Sequence, residues 1–123
     1  MEPIDFDVLQ HPDKKIIEPG GEIFMAQIDG EPVGTVALKF VSERIYEFTK
    51  MAVHESHRGK QIGKMLAIAA IEEARSKKAQ KIVLYSNTKL KTAIQLYFKL
   101  GFLEVPLDGP YKRSDIKMEL VLE

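Results

Sequence analysis

Seven consecutive positions, Arg58-Gly59-Lys60-Gln61-Ile62-Gly63-Lys64, hold two glycines and three basic residues. They lie between the apolar end of one segment, at Val53, and the start of a helical pattern. The first N–H groups of a helix have no internal partners and carry partial positive charge. Glycine lets an anion approach the backbone without meeting a Cβ. Arg58, Lys60 and Lys64 add formal charge, and no Ser, Thr, Asp or Asn directly precedes Gly59 to cap the turn. This chemistry suits a phosphate. A second reading also stands: a helix start with a glycine for close packing, capped by Ser56. Two phosphate loops are excluded. A P-loop needs four residues between its glycines and then Lys-Ser/Thr; here three intervene and Met65 takes the hydroxyl position. The dinucleotide fingerprint, G-x-G-x-x-G with an acidic residue on the next strand, is absent.

The elements that must position this turn can be read from periodicity. Ile23 to Ile28 reads as a strand, Asp29-Gly30 as a tight hairpin turn, and Val33 to Val41 as the returning strand. Ile45 to Val53, rich in β-branched and aromatic residues, makes a third. By period 2, Glu47 shares a face with Thr49, Met51 and Val53. Ile62, Met65, Leu66, Ala69 and Ala70 recur at helical spacing, which predicts a helix to about Lys78. Lys81 to Ser86 is a short strand. A second helix covers about Leu90 to Leu100, with Ala93, Ile94, Tyr97 and Phe98 on its apolar stripe and Gly101 as a left-handed cap. Phe102 to Val105 is extended, and Ile116 to Leu122 alternates as the last strand. The order is β-β-β-α-β-α-β-β. The strands flanking the first helix should be parallel with a right-handed crossover, and the rest antiparallel. The fold class is therefore α+β, a mixed and mostly antiparallel sheet with helices packed on it. Pro3, Pro12, Pro19 and Gly20-Gly21 predict that residues 1–21 are irregular.

At 123 residues, the expected organisation is one domain. Balanced charge, 18 Lys+Arg against 18 Asp+Glu, disfavours a nucleic-acid partner. Zero Cys excludes disulfides, thiolate metal sites and a cysteine nucleophile. His11, His54 and His57 lack metal-ligand spacing, so no metal is expected. No signal-peptide pattern and no membrane-length apolar run are present, giving a soluble, cytoplasmic expectation without membrane partners.

Arg58-Gly59-Lys60-Gln61-Ile62-Gly63 resembles the acetyl-CoA pyrophosphate loop of the GCN5-related N-acetyltransferases, Gln/Arg-x-x-Gly-x-Gly/Ala. Arg58 and Gly63 match its ends, while Gln61 replaces the first glycine. Asn87 with Ala93-Ile94-Gln95-Leu96-Tyr97-Phe98-Lys99-Leu100-Gly101-Phe102 resembles the same family's Asn…Ala-x-x-x-Tyr-x-x-x-Gly-Phe signature. The resemblance spans about residues 22–122. It implies transfer of acetyl from acetyl-CoA directly to a primary amine, with no acyl-enzyme. It implies Tyr97 as general acid toward the departing thiolate and Glu47 as base for the amine. It also implies cofactor contacts from Met51, Ala52, Val53, Arg58, Gly59, Lys60, Gln61, Ile62, Gly63, Lys64 and Asn87. Met51 N–H would bond the thioester carbonyl and Val53 the pantetheine amide, where the strand splays from its parallel neighbour.

From the pattern alone, Tyr97 reads first as a core tyrosine and Glu47 as a strand carboxylate or salt-bridge partner; the resemblance reverses the order for Tyr97. The alternative function is a CoA-binding sensor or interaction module without catalysis. Tyr111-Lys112-Arg113 reads as a solvated turn that could border the acceptor pocket. The amine acceptor, small molecule or protein, is not specified by the sequence, and a homodimer fits the family's habit. With only 21 residues before the first clear strand, the N-terminal strand/helix unit that walls the acceptor in this family is expected to be shortened.

Overall fold

The computed structural model describes residues 4–9, 21–57, 61–107 and 114–122. The strands are β1 (Ile4–Leu9), β2 (Glu22–Ile28), β3 (Glu31–Ser42), β4 (Ile45–Val53), β5 (Lys81–Ser86), β6 (Leu103–Val105) and β7 (Ile116–Val121). The helices are α1 (Ile62–Ser76) and α2 (Lys91–Lys99), with a 3-10 turn at Glu55–His57. The strands form one sheet in the order β1-β2-β3-β4-β5-β7-β6. β4 and β5 run parallel, and the other neighbours are antiparallel. The mixed α+β architecture and its element order follow the sequence reading from β2 onward. No helix among the described residues is long and apolar enough to cross a membrane.

The N-terminal expectation needs correction. Ile4–Leu9 is not irregular but forms β1, paired with β2 from Ile4↔Ile28 to Leu9↔Ile23. The sequence Ile-Asp-Phe-Asp-Val alternates at period 2. Pro3 and Pro12 lie outside these six residues and punctuate the strand rather than break it.

The β2–β3 hairpin turns on Asp29 and Gly30, both at positive φ (51° and 80°). This is the geometry that the twist of two antiparallel strands favours. Both helices pack on one face of the sheet. The core there joins Phe24, Val36, Leu38, Tyr46, Phe48, Ile82, Leu84 and Met118 to Leu66, Ala70 and Ala74 of α1 and Tyr97 of α2. Ile23, Ala37, Glu47 and Val83 are buried outside that cluster, on the opposite face by register.

Two departures from regular pairing shape the C-terminal part of β4. Along β3 its register runs Ala37↔Thr49 and then Thr35↔Ala52. Lys50 and Met51 thus oppose the single residue Val36, which is a β-bulge. The extra residue inverts the side-chain alternation. Tyr46 and Phe48 face the helices before the bulge; Met51 and Val53 pack against the same core after it. The expectation that Glu47 shares a face with Met51 and Val53 is therefore overturned: the bulge sets them on opposite faces. On its other side, β4 pairs with β5 only from Ile45↔Lys81 to Phe48↔Leu84. Beyond Phe48 the two parallel strands part.

Candidate active site

The parting of β4 from β5 opens into a groove of about 910 Å³ on the helix-bearing face. Met51 and Val53 line it from β4, Gln61 to Lys64 from the start of α1, and residues 89–93, 95–97, 99 and 100 from the second helix and its approach.

The α1 wall presents an uncapped helix start. The helix begins without a side-chain cap and without an acidic residue in its first turn. Ser56 does not cap it: the Ser56 hydroxyl lies 2.8 Å from Nδ1 of His54, and the Ser56 N–H donates to the same nitrogen at 3.2 Å. The first intrahelical bond runs from Met65 N–H to Gln61 C=O at 3.1 Å. The earlier N–H groups belong to residues that line the groove.

Gln61 sits at φ 62°, ψ 23°, the left-handed region. The backbone there costs a non-glycine residue about 1 kcal/mol. A glycine would take this conformation freely. At Gly63 an added Cβ would stand 3.8 Å from Val53 Cγ2 and 3.9 Å from Leu96 Cδ2, ordinary contact distances. The space it would fill belongs to the groove.

Gly34 on β3 sets how closely α1 seats. A Cβ there would come within 2.9 Å of Leu66 Cδ1, 3.1 Å of Ile62 Cγ2 and 3.2 Å of Ala52 O. The sequence reading did not single out this residue. Its signal was a glycine inside a strand pattern, which marks close backbone approach.

The second wall is made of side chains. Its centre is Tyr97, 6% exposed and a lining residue of the groove. The end of α2 fixes it. Phe102 N–H donates to Tyr97 C=O and Gly101 N–H to Phe98 C=O, both at 3.0 Å, with Gly101 at φ 104°. This is a Schellman cap, and its characteristic apolar contact is the Tyr97–Phe102 edge pair at 5.8 Å. Phe48 closes the triad, 5.8 Å from Tyr97 and 6.2 Å from Phe102. Burial raises the Tyr97 hydroxyl above the usual tyrosine range, so it keeps its proton at neutral pH. A buried tyrosine hydroxyl ordinarily finds a partner, and the groove is where this one can be met.

Other sequence candidates stand outside the groove lining. Glu47 is 6% exposed on the opposite face, directly across from Lys39 on β3 and Val83 on β5. Ala52 is exposed. Asn87 holds its own turn: Oδ1 accepts the Lys89 N–H at 2.9 Å. The following residue is clasped to the last strand's approach, with Thr88 N–H and hydroxyl each donating to the Asp115 carboxylate at 2.8 Å. Arg58, Gly59 and Lys60 lie outside the described residues, as do His11 and Tyr111-Lys112-Arg113.

A smaller pocket of about 400 Å³ lies at the far end of α1, lined by Arg44, Arg75, Lys78, Ala79 and Leu122. Cations there meet the negative end of the helix and its last carbonyls.

The chain belongs to the acetyltransferase (GNAT) family, whose description matches residues 2–102. It is 35% identical over 88 residues to the uncharacterized N-acetyltransferase YjgM of Escherichia coli K12, covering 69% of this chain and 53% of that one. The chain thus spans about half the length of this curated relative. Among solved structures, a GNAT-family acetyltransferase from Staphylococcus aureus Mu50 superposes with a TM-score of 0.82 at 22% identity, over 89% of this chain and 72% of that chain. A Bacillus subtilis acetyltransferase in complex with CoA gives 0.78 at 20% identity, over 98% and 100%. At these identities the structural likeness speaks for the fold.

Proposed function

We propose that the protein is an N-acetyltransferase that moves acetyl from acetyl-CoA directly to a primary amine. The observation that carries this reading is the parting of β4 from β5 beyond Phe48, beside the groove that joins the α1 start to Tyr97. An extended pantetheine arm suits such a gap, because the freed strand edge of Met51 to Val53 offers amide hydrogen bonds. The uncapped N–H groups of α1 suit a diphosphate, and Gly63 leaves room for it. Arg58, Gly59 and Lys60 extend the same loop by resemblance.

In this reading the acceptor comes from the face opposite the two described helices, where Glu47 stands, while the cofactor lies on the helix side. Glu47 receives the ammonium proton through water. The freed amine attacks the acetyl carbonyl carbon, a C–N bond forms, and the developing oxyanion takes a hydrogen bond from Met51 N–H. The C–S bond then breaks, Tyr97 O–H supplies the proton to the departing thiolate, and the proton that the new amide nitrogen loses passes through water to restore the Tyr97 hydroxyl. Burial keeps the Tyr97 hydroxyl protonated at neutral pH, as a donor must be.

The deciding experiment is thiol release from acetyl-CoA across a panel of amines, with mass-spectrometric detection of acetylated products. Amine-dependent release with a product heavier by one acetyl group is expected. CoA binding without transfer to any amine would instead identify a sensor.

A further inference from the structure

Lysine is the only charged residue type among the described residues that line the groove: Lys64 on the α1 wall, and Lys89, Lys91 and Lys99 on the other. The chain as a whole is balanced, 18 cations against 18 anions, so the one-signed lining is a local asymmetry.

Two of these lysines have ready accounts. Lys64 stands in the first turn of α1, beside the backbone read above as the diphosphate cradle. Lys99 ends its helix, where a cation complements the last carbonyls. Lys91 has the opposite placement. It opens α2, which has no acidic residue in its first turn and no side-chain cap, so its charge is set against the positive end of the helix. Lys89 is two residues away and adds a like charge. Both are exposed, and Thr92 beside them lines the same groove. Asp115 lies close enough to Lys89 to be stabilised by it, but its two oxygens already accept from Thr88.

At 1.5 Å of rise per residue, Lys91 is about 9 Å along the helix axis from Tyr97. The lysine pair therefore stands away from the reacting thioester. A phosphomonoester dianion fits: it carries nearly two charges and three acceptor oxygens, which two ammonium groups and a hydroxyl can share.

The geometry points to Lys89 and Lys91 as a phosphomonoester subsite that holds the ribose 3′-phosphate of CoA, apart from the diphosphate on α1. This rests on the proposed reading of the groove as a CoA site. The subsite makes the enzyme discriminate CoA from its 3′-dephospho form.

The test is calorimetric titration of the full chain with CoA and with 3′-dephospho-CoA, for the wild type and for Lys89→Ala/Lys91→Ala. The wild type should bind CoA at least about tenfold more tightly than dephospho-CoA. The double variant should bring the two affinities within about twofold, by weakening CoA alone. Equal wild-type affinities, or an equal loss for both ligands in the variant, would overturn the subsite and leave the CoA reading intact. Binding of neither ligand by the wild type would overturn both.

Discussion

The α1 wall of the groove works through backbone and the α2 wall through side chains. On the first, the functional groups are N–H donors exposed by an absent cap, a left-handed Gln61 and a glycine. On the second they are a buried tyrosine and exposed lysines. Each wall is fixed by a device suited to its material. The backbone wall depends on close approach, set by Gly34 beneath Ile62 and Leu66. The side-chain wall depends on packing, with the Schellman cap and two phenylalanines around Tyr97. A backbone wall is therefore vulnerable to added atoms, and a side-chain wall to removed ones.

That contrast can be broken most sharply at Tyr97. Tyr97→Phe keeps the aromatic triad and removes only the hydroxyl. The turnover number should fall by about 100-fold, the usual scale for a general acid, with CoA affinity and melting temperature nearly unchanged. Wild-type turnover would reduce Tyr97 to a packing residue.

Gly34→Val tests the other wall by addition. Its new side chain meets Leu66, Ile62 and the Ala52 carbonyl, and overpacking of this kind costs about 1–3 kcal/mol. Chemical denaturation should report that loss, and titration should show weaker CoA binding because the start of α1 is displaced. An unchanged CoA affinity in the folded variant would uncouple Gly34 from the cradle.

Glu47 belongs to neither wall. If it serves the acceptor from the far face, Glu47→Gln should slow the rate by about 10-fold at low pH and recover as pH rises and the free amine becomes abundant. A pH–rate profile that matches the wild type would remove Glu47 from the chemistry.

Gln61→Gly is a smaller change on the backbone wall. It relieves the left-handed strain, about 1 kcal/mol, while loosening the unfolded chain by a comparable amount. Stability should move by less than about 1 kcal/mol and CoA affinity should hold. A large loss of affinity would mean that the Gln61 side chain, rather than its N–H, meets the ligand.

The smallest effect is expected at Asp115, which is exposed. Hydrogen bonds from the Thr88 N–H and hydroxyl hold its carboxylate below the usual aspartate range. A lowered pKa contributes stability above the unfolded value, about 3.9, that is lost as pH falls through the folded one. Melting curves of Asp115→Asn should therefore differ slightly from wild type at neutral pH and converge with it in acid. A constant difference across pH would assign the effect to shape rather than charge.

The order of elements from β2 onward was legible because period 2 and period 3.6 separate cleanly along this chain, with Asp29-Gly30 and Gly101 at the breaks. β1 was obscured because prolines outside a short strand were weighed as if they fell within it. The walls differed in legibility too. Tyr97 and the glycine-basic turn carry signatures in their residue types. The bulge at Lys50-Met51 has none: neither residue is a glycine, and register is a property of two strands. Face assignments made from β4 alone therefore failed beyond Thr49. The clasp of Thr88 to Asp115 joins residues 27 positions apart and could not be read locally. The same holds for the contacts of Gly34, although its residue type gave a hint.

The bulge has one more consequence. In a regular strand, residues addressed to one face stay on that face, so a strand normally serves a single compartment with each parity of its sequence. By slipping phase once, β4 gives its odd-numbered residues to one side before Thr49 and to the other after it. A carboxylate and an aliphatic strand end can then evolve in the same parity class and still confront different molecules. Deleting Lys50 alone would set Met51 squarely opposite Val36 and leave Met51 and Val53 on the helix-bearing face, so the compartments would stay separate and only the parity of the sequence would change.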